Sequence, residues 1–62
     1  MSIVRDGFMF VRFYGECKIV NREVVLSDLD YQYESTEPGF DHNMYDVYSN
    51  SDGDYFAVKE EE

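Results

Sequence analysis

Residues 8–20 read FMFVRFYGECKIV and form the longest apolar-rich run in the chain. At strand period, Met9, Val11, Phe13, Cys17 and Ile19 share one face. Phe8, Phe10, Tyr14 and Val20 share the other with Arg12 and Lys18. Large side chains on both faces predict a central strand or strand pair rather than an edge. Gly15 interrupts the run. The face pattern resumes in register at Cys17 and Ile19, so a bulge in one long strand fits better than a hairpin turn at Gly15-Glu16.

On the N-terminal side, Ile3 and Val4 are expected to begin a short strand, and Arg5-Asp6-Gly7 to turn. On the C-terminal side, Asn21-Arg22 reads as a tight turn and Glu23 to Leu26 as a returning strand, since Val24 and Val25 are β-prone. Asp28 to Glu34 alternates strictly. Asp28, Asp30, Gln32 and Glu34 lie on one face, and Leu29, Tyr31 and Tyr33 on the other, which predicts a half-exposed strand. A short helix competes there, because Ser27 followed by Asp30 resembles a capping box. Ser35-Thr36-Glu37-Pro38-Gly39 reads as a loop, with Phe40 returning to the core. Met44 to Ser49 and Asp54 to Val58 read as the arms of a hairpin around Asn50-Ser51-Asp52-Gly53. A helix competes for the first arm, with Asp41 as cap and Met44, Val47 and Tyr48 at helical spacing. The expected fold is all-β, a small, mostly antiparallel curled sheet or barrel of four or five strands; the alternative is α+β with one short helix.

With 62 residues, the chain is expected to be a single domain over 1–62, residues 60–62 being a frayed acidic tail. A domain of this size buries only about 60% of its unfolded surface. Its one cysteine allows no internal disulfide, but six Tyr and five Phe offer bulk for a core or for an interface with a second copy. A homodimer is therefore expected. The segment MSIVRDGF lacks the features of a signal peptide, no run of about 18–20 apolar residues exists, and the lone Cys17 suits a reducing compartment. These features point to a cytoplasmic protein.

The net charge is −9 and unevenly spread. Residues 1–25 hold four cations against three acids, whereas residues 26–62 hold one lysine against eleven acids. Such a chain repels nucleic acid and anionic membranes and favours a basic partner.

Sites for chemistry are few. Cys17 and His42 are the only thiol–base pair, far apart in sequence and with no third group to orient them. Zinc on Cys17, His42 and Asp41 lacks a fourth ligand and a recognisable spacing. Asn50-Ser51-Asp52-Gly53-Asp54 resembles the middle of a calcium-binding EF-hand loop. Aligning Gly53 with that loop's glycine puts Tyr48 and Lys59 where the first Asp and the bidentate Glu belong. No enzymatic activity, cofactor or metal is therefore expected.

What remains is Asp and Glu interleaved with Tyr. The expected partner-binding residues are Asp28, Asp30, Tyr31, Tyr33, Glu34, Tyr45, Asp46 and Tyr48. Carboxylates two apart on a strand stand about 6.6 Å from each other, and a ladder of them imitates a charged backbone. Tyrosine adds amphipathic anchors. In size and composition the chain is similar to the small acidic inhibitors that mimic nucleic acid, as phages and mobile elements encode. That likeness implies an inhibitor occupying the nucleic-acid-binding surface of a basic protein. The alternative is a non-catalytic accessory module that self-associates or joins a larger assembly through its aromatic face.

Overall fold

In the computed structural model, which describes residues 6–60, the 8–20 stretch folds back on itself. Strand β1 spans Phe8–Val11 and β2 spans Gly15–Ile19, paired antiparallel with Val11 opposite Gly15. The expected bulge is a hairpin turn. Tyr14 N donates to Val11 O at 3.0 Å, and both Phe13 and Gly15 take positive φ, 74° and 76°. Gly15 supplies left-handed backbone without a Cβ penalty, and Phe13 adopts the same region at a cost of about 1–2 kcal/mol. The face pattern survives the reversal: Met9 pairs with Cys17, and Val11 and Cys17 are buried together.

A second correction follows at Asn21. The expected strand from Glu23 to Leu26 is instead a short helix, α1, at Arg22–Ser27. Asn21 stands at its N-cap position with extended backbone, Glu23 favours the first turn, and Ser27 Oγ donates back to Val24 O at 3.0 Å. Six residues cannot hold a helix by propensity alone. Burial of Val25 and an ion pair from Arg22 to Asp46 hold this one against the sheet.

The rest of the chain is a three-stranded meander. Strand β3 is Gln32–Pro38, β4 is Met44–Ser49 and β5 is Tyr55–Lys59. The strands lie in the order β1-β2-β5-β4-β3, antiparallel except for the central β2–β5 pair, which is parallel. The C-terminal hairpin matches its expected bounds within a residue, so the competing helix at 41–48 is absent. The stretch expected as a loop at Ser35–Gly39 is mostly strand: β3 continues through it to Pro38, with an irregularity between Tyr33 and Ser35. Asp28 to Asp30, expected as strand, is a turn, in which Tyr31 N donates to Asp28 O at 3.3 Å.

The sheet curls without closing. The end of β1 reaches the residues after β3, where Val11 bridges Gly39, Arg12 N donates to Pro38 O at 3.0 Å and Phe40 N donates to Phe10 O at 2.7 Å. β1 is thus the last strand of the sheet, propped at one point against the other side. The inner face carries the core cluster of Val11, Cys17, Tyr45, Val47 and Ala57, with Met9 and Tyr14 packed against it. The outer face buries Phe56, Val58 and Asp46 and is the side that α1 meets through Arg22. The fold is therefore a small, mostly antiparallel, curled five-stranded sheet with one short helix. Among the described residues no helix is long and apolar enough to cross a membrane. The expected strand at Ile3-Val4, the Arg5 end of the first turn and the last two tail residues lie outside the described residues.

Candidate functional site

Of the eight residues expected to meet a partner, the fold leaves six exposed or half-buried and takes two inside. The gathering of acids begins at the turn before β3. Asp28 Oδ1 accepts from Asp30 N at 2.9 Å, and Asp30 Oδ2 accepts from Ser51 Oγ at 3.1 Å. This last bond ties the 28–30 turn to the 50–54 connection. There Asn50 Oδ1 accepts from the backbone N–H groups of Asp52 and Asp54, at 3.2 and 3.1 Å. Asp28 and Asp30, and Asp52 and Asp54 more than twenty residues further along the chain, thus form one exposed acidic corner. Glu34, on β3, accepts from Ser49 Oγ, which lies on the same face of β4 as Val47, so Glu34 stands on the face opposite the Tyr33–Tyr48 pair. The expected carboxylate ladder is corrected here: Asp28 and Asp30 are not in a strand, and the charge is concentrated by two turns rather than by strand spacing.

The tyrosines run beside this corner across the outer face. Tyr33 and Tyr48 are register partners, and their rings meet edge to face at 5.7 Å between centroids. Tyr48 is opposite Phe56 on β5, and Tyr31 meets the Phe56 ring edge-on at 5.0 Å. Phe56 is the buried base of this row; Tyr31 and Tyr48 are half-buried, and Tyr33 is 56% exposed. Edge-to-face pairs add about 0.5–1.5 kcal/mol beyond burial, so the row is fixed before any partner arrives.

Tyr45 and Asp46 are the exceptions, and their burial corrects the sequence reading. Tyr45 is 2% exposed in the inner core, where its hydroxyl donates to Asp41 Oδ2 at 2.8 Å. Burial and that bond push its phenol up to about 12, so it stays a neutral donor. Asp46 is 8% exposed on the outer face. It accepts from Thr36 Oγ1 at 2.6 Å and from Arg22 Nη2 at 2.8 Å. Burial alone would raise its pKa, but these bonds outweigh burial and hold the carboxyl below its ordinary value. Thr36 Oγ1 is in turn bonded to Tyr33 Oη at 2.6 Å. Since Thr36 spends its one proton on Asp46, Tyr33 donates to Thr36. Asp46 therefore orients Tyr33 and anchors α1 rather than touching a partner. Alternation along β4 puts Asp46 on the face opposite Tyr45 and Val47 and by itself predicts exposure; its burial comes from the Arg22 and Thr36 contacts on that face, which the sequence does not signal.

The residues considered for chemistry separate. Cys17 is fully buried, and burial pushes its thiol up to about 11, which disfavours the thiolate a nucleophile requires. His42 is exposed in the loop between β3 and β4. The calcium-like segment spends its Asn50 carbonyl on closing the hairpin, with Gly53 at φ 86°. Among the described residues no three His, Cys, Asp or Glu side chains are grouped to hold a metal ion.

No protein-family model, curated protein or solved structure matches the chain.

Proposed function

We propose that the chain is a small non-catalytic binding protein whose acidic corner and tyrosine row occupy the nucleic-acid-binding surface of a basic protein. The observation that supports this is the placement of Asp28, Asp30, Asp52 and Asp54 next to Tyr31, Tyr33 and Tyr48, brought together from two turns and two strands. A basic groove shaped for phosphates meets repeated negative charge there, and the tyrosine rings supply anchors that phosphate does not. The excess of eleven acids over one lysine in residues 26–62 extends the field beyond the contact and steers a cationic partner towards it.

The test separates charge from anchor. A tagged chain is used to capture partners from a lysate at low and high salt, and the kinetics of the recovered complex are then measured. Asp28→Asn with Asp30→Asn keeps the carbonyl acceptors that close both turns, so the fold survives. This pair should slow association and flatten its salt dependence. Tyr33→Ala should instead speed dissociation at least tenfold. A partner whose binding is insensitive to salt and to both sets of substitutions contradicts the proposal.

A further inference from the structure

A chain of hydrogen bonds runs from α1 through β4 to the exposed ring of Tyr33 on β3. Arg22 Nη2 donates to Asp46 Oδ2 at 2.8 Å, Thr36 Oγ1 donates to Asp46 Oδ1 at 2.6 Å, and Tyr33 Oη lies 2.6 Å from Thr36 Oγ1. The order of protons along it is fixed at the buried end. Asp46 is 8% exposed and ionised at neutral pH: burial raises its pKa, but its bonds to Thr36 and Arg22 outweigh burial and lower it. An ionised carboxylate only accepts, so Thr36 gives its single proton to Asp46 and takes one from Tyr33. The only hydroxyl proton of Tyr33 is thereby committed inward, while the side chain is 56% exposed. Tyr45 commits its proton in the same way, to Asp41, but at 2% exposure it presents nothing to a partner.

We infer that Tyr33 Oη meets a partner as a hydrogen-bond acceptor rather than a donor, and that Thr36 and Asp46 are the positioning residues that set this polarity. It rests on the acidic-surface proposal and names the group that meets Tyr33 there: an arginine or lysine N–H of the basic partner. A free phenol serves a donor or an acceptor equally. With its proton spent on Thr36, Tyr33 offers lone pairs alone, so a cationic N–H is satisfied and a phosphate or carboxylate oxygen finds no proton. Bonds in series also polarise one another, by about 10–30% each. The charge of the buried Asp46 is in this way partly expressed at the Tyr33 oxygen, beside acids that are exposed outright. Asp46 thus serves the binding surface without reaching it, and Arg22 holds the carboxylate in place from the far side.

Two synthetic peptides of equal length and charge test it. Oligolysine carries N–H donors on its side chains, and its fully trimethylated form carries none. Each is titrated into the full chain and followed by NMR shifts at Tyr33 and Thr36. The wild-type chain should prefer oligolysine. Tyr33→Phe keeps the ring and removes the acceptor, and should cut that preference about threefold or more. Thr36→Val breaks the chain of bonds and should move the preference in the same direction, whereas Thr36→Ser keeps the hydroxyl and should leave it as in the wild type. Should Thr36→Val alter the circular dichroism, Tyr33→Phe and Thr36→Ser carry the test. A preference that Tyr33→Phe leaves unchanged overturns the inference, as does a wild-type chain with no preference or no binding of oligolysine. Asp28→Asn with Asp30→Asn separates the two proposals. If that pair weakens both peptides while Tyr33→Phe is silent, only the polarity of Tyr33 is refuted. If that pair is silent while Tyr33→Phe acts, only the acidic-surface reading falls.

Discussion

Asp46 is the one charged residue buried among the described residues, and its neighbours explain why it is tolerated. Removing it leaves Thr36 without its acceptor and Arg22 without its counter-ion. Asp46→Ala should therefore lower stability by about 2–3 kcal/mol in urea unfolding at neutral pH. Asp46→Asn, which keeps one acceptor, should cost less. The pH dependence follows from the direction of the shift. Asp46 and Asp41 both have folded pKa values below the ordinary one; in each, burial pushes up and hydrogen bonds, from Thr36 and Arg22 or from Tyr45 and Asn43, pull down further. Their contribution is complete above the unfolded carboxylate pKa, about 4, and is lost as pH falls through the lowered folded values. The urea midpoint should fall below about pH 4, and fall less steeply in Asp46→Asn. Identical acid slopes in the two proteins would show that Asp46 is not a stabilising carboxylate. His42 offers a change of the opposite sign: His42→Gly relieves left-handed backbone at an exposed site and should raise stability by about 0.5–1 kcal/mol.

At the scale of elements, the seam holds the curl together. A Cβ on Gly39 would lie 2.5 Å from Tyr45 Cε1 and 2.9 Å from Met9 Cγ. The Tyr45 ring is buried and tethered through its hydroxyl to Asp41, so it cannot swing aside. Gly39→Ala should cost about 2–3 kcal/mol. Gly53→Ala, in open space at φ 86°, should cost about 1 kcal/mol. Equal thermal shifts for the two would argue against a packed seam. On β1, Val11→Asp should abolish cooperative folding, since Val11 is 3% exposed, while Phe10→Asp should be accommodated.

The same elements show what the sequence made legible. The C-terminal hairpin was readable because β-prone arms flank a connection rich in Asn, Asp and Gly. The faces of β1 and β2 were readable because alternation is indifferent to whether Gly15 bulges or turns. Val24-Val25 misled because β propensity is weaker than the tertiary gain of seating Val25 and Arg22 on the sheet. Ser35-Thr36-Glu37-Pro38 misled because its polar side chains looked like loop. In the fold Thr36 bonds Asp46, Ser35 bonds Tyr14, and Pro38 ends the strand, where a missing N–H is tolerated. Phe40 was expected to return to the core and is instead exposed at the seam, held there by its backbone bond to Phe10. Six of the eight expected contact residues reach the surface, because Asp, Glu and Tyr in polar surroundings seldom stay buried. The acidic corner itself could not be seen, since it arises from a contact between turns distant in sequence.

Across the whole molecule, the net charge of −9 acts in two directions. It opposes compaction and steers cationic partners. Added salt should therefore stabilise the isolated chain against heat while weakening its complex with a basic protein. Salt that weakened both, or neither, would not fit a charge-directed surface. The central claim is that the acidic corner and tyrosine row stand where nucleic acid would bind, and competition tests it most directly. Duplex DNA and single-stranded RNA are titrated into the complex between the chain and its recovered partner, and release of the chain is followed by fluorescence anisotropy at constant ionic strength. Mutual exclusion is the predicted result: one of the two nucleic acids should displace the chain completely, with the chain raising that ligand's apparent dissociation constant in proportion to its own concentration. A ternary complex, in which partner, chain and nucleic acid bind together without loss of affinity, would contradict it.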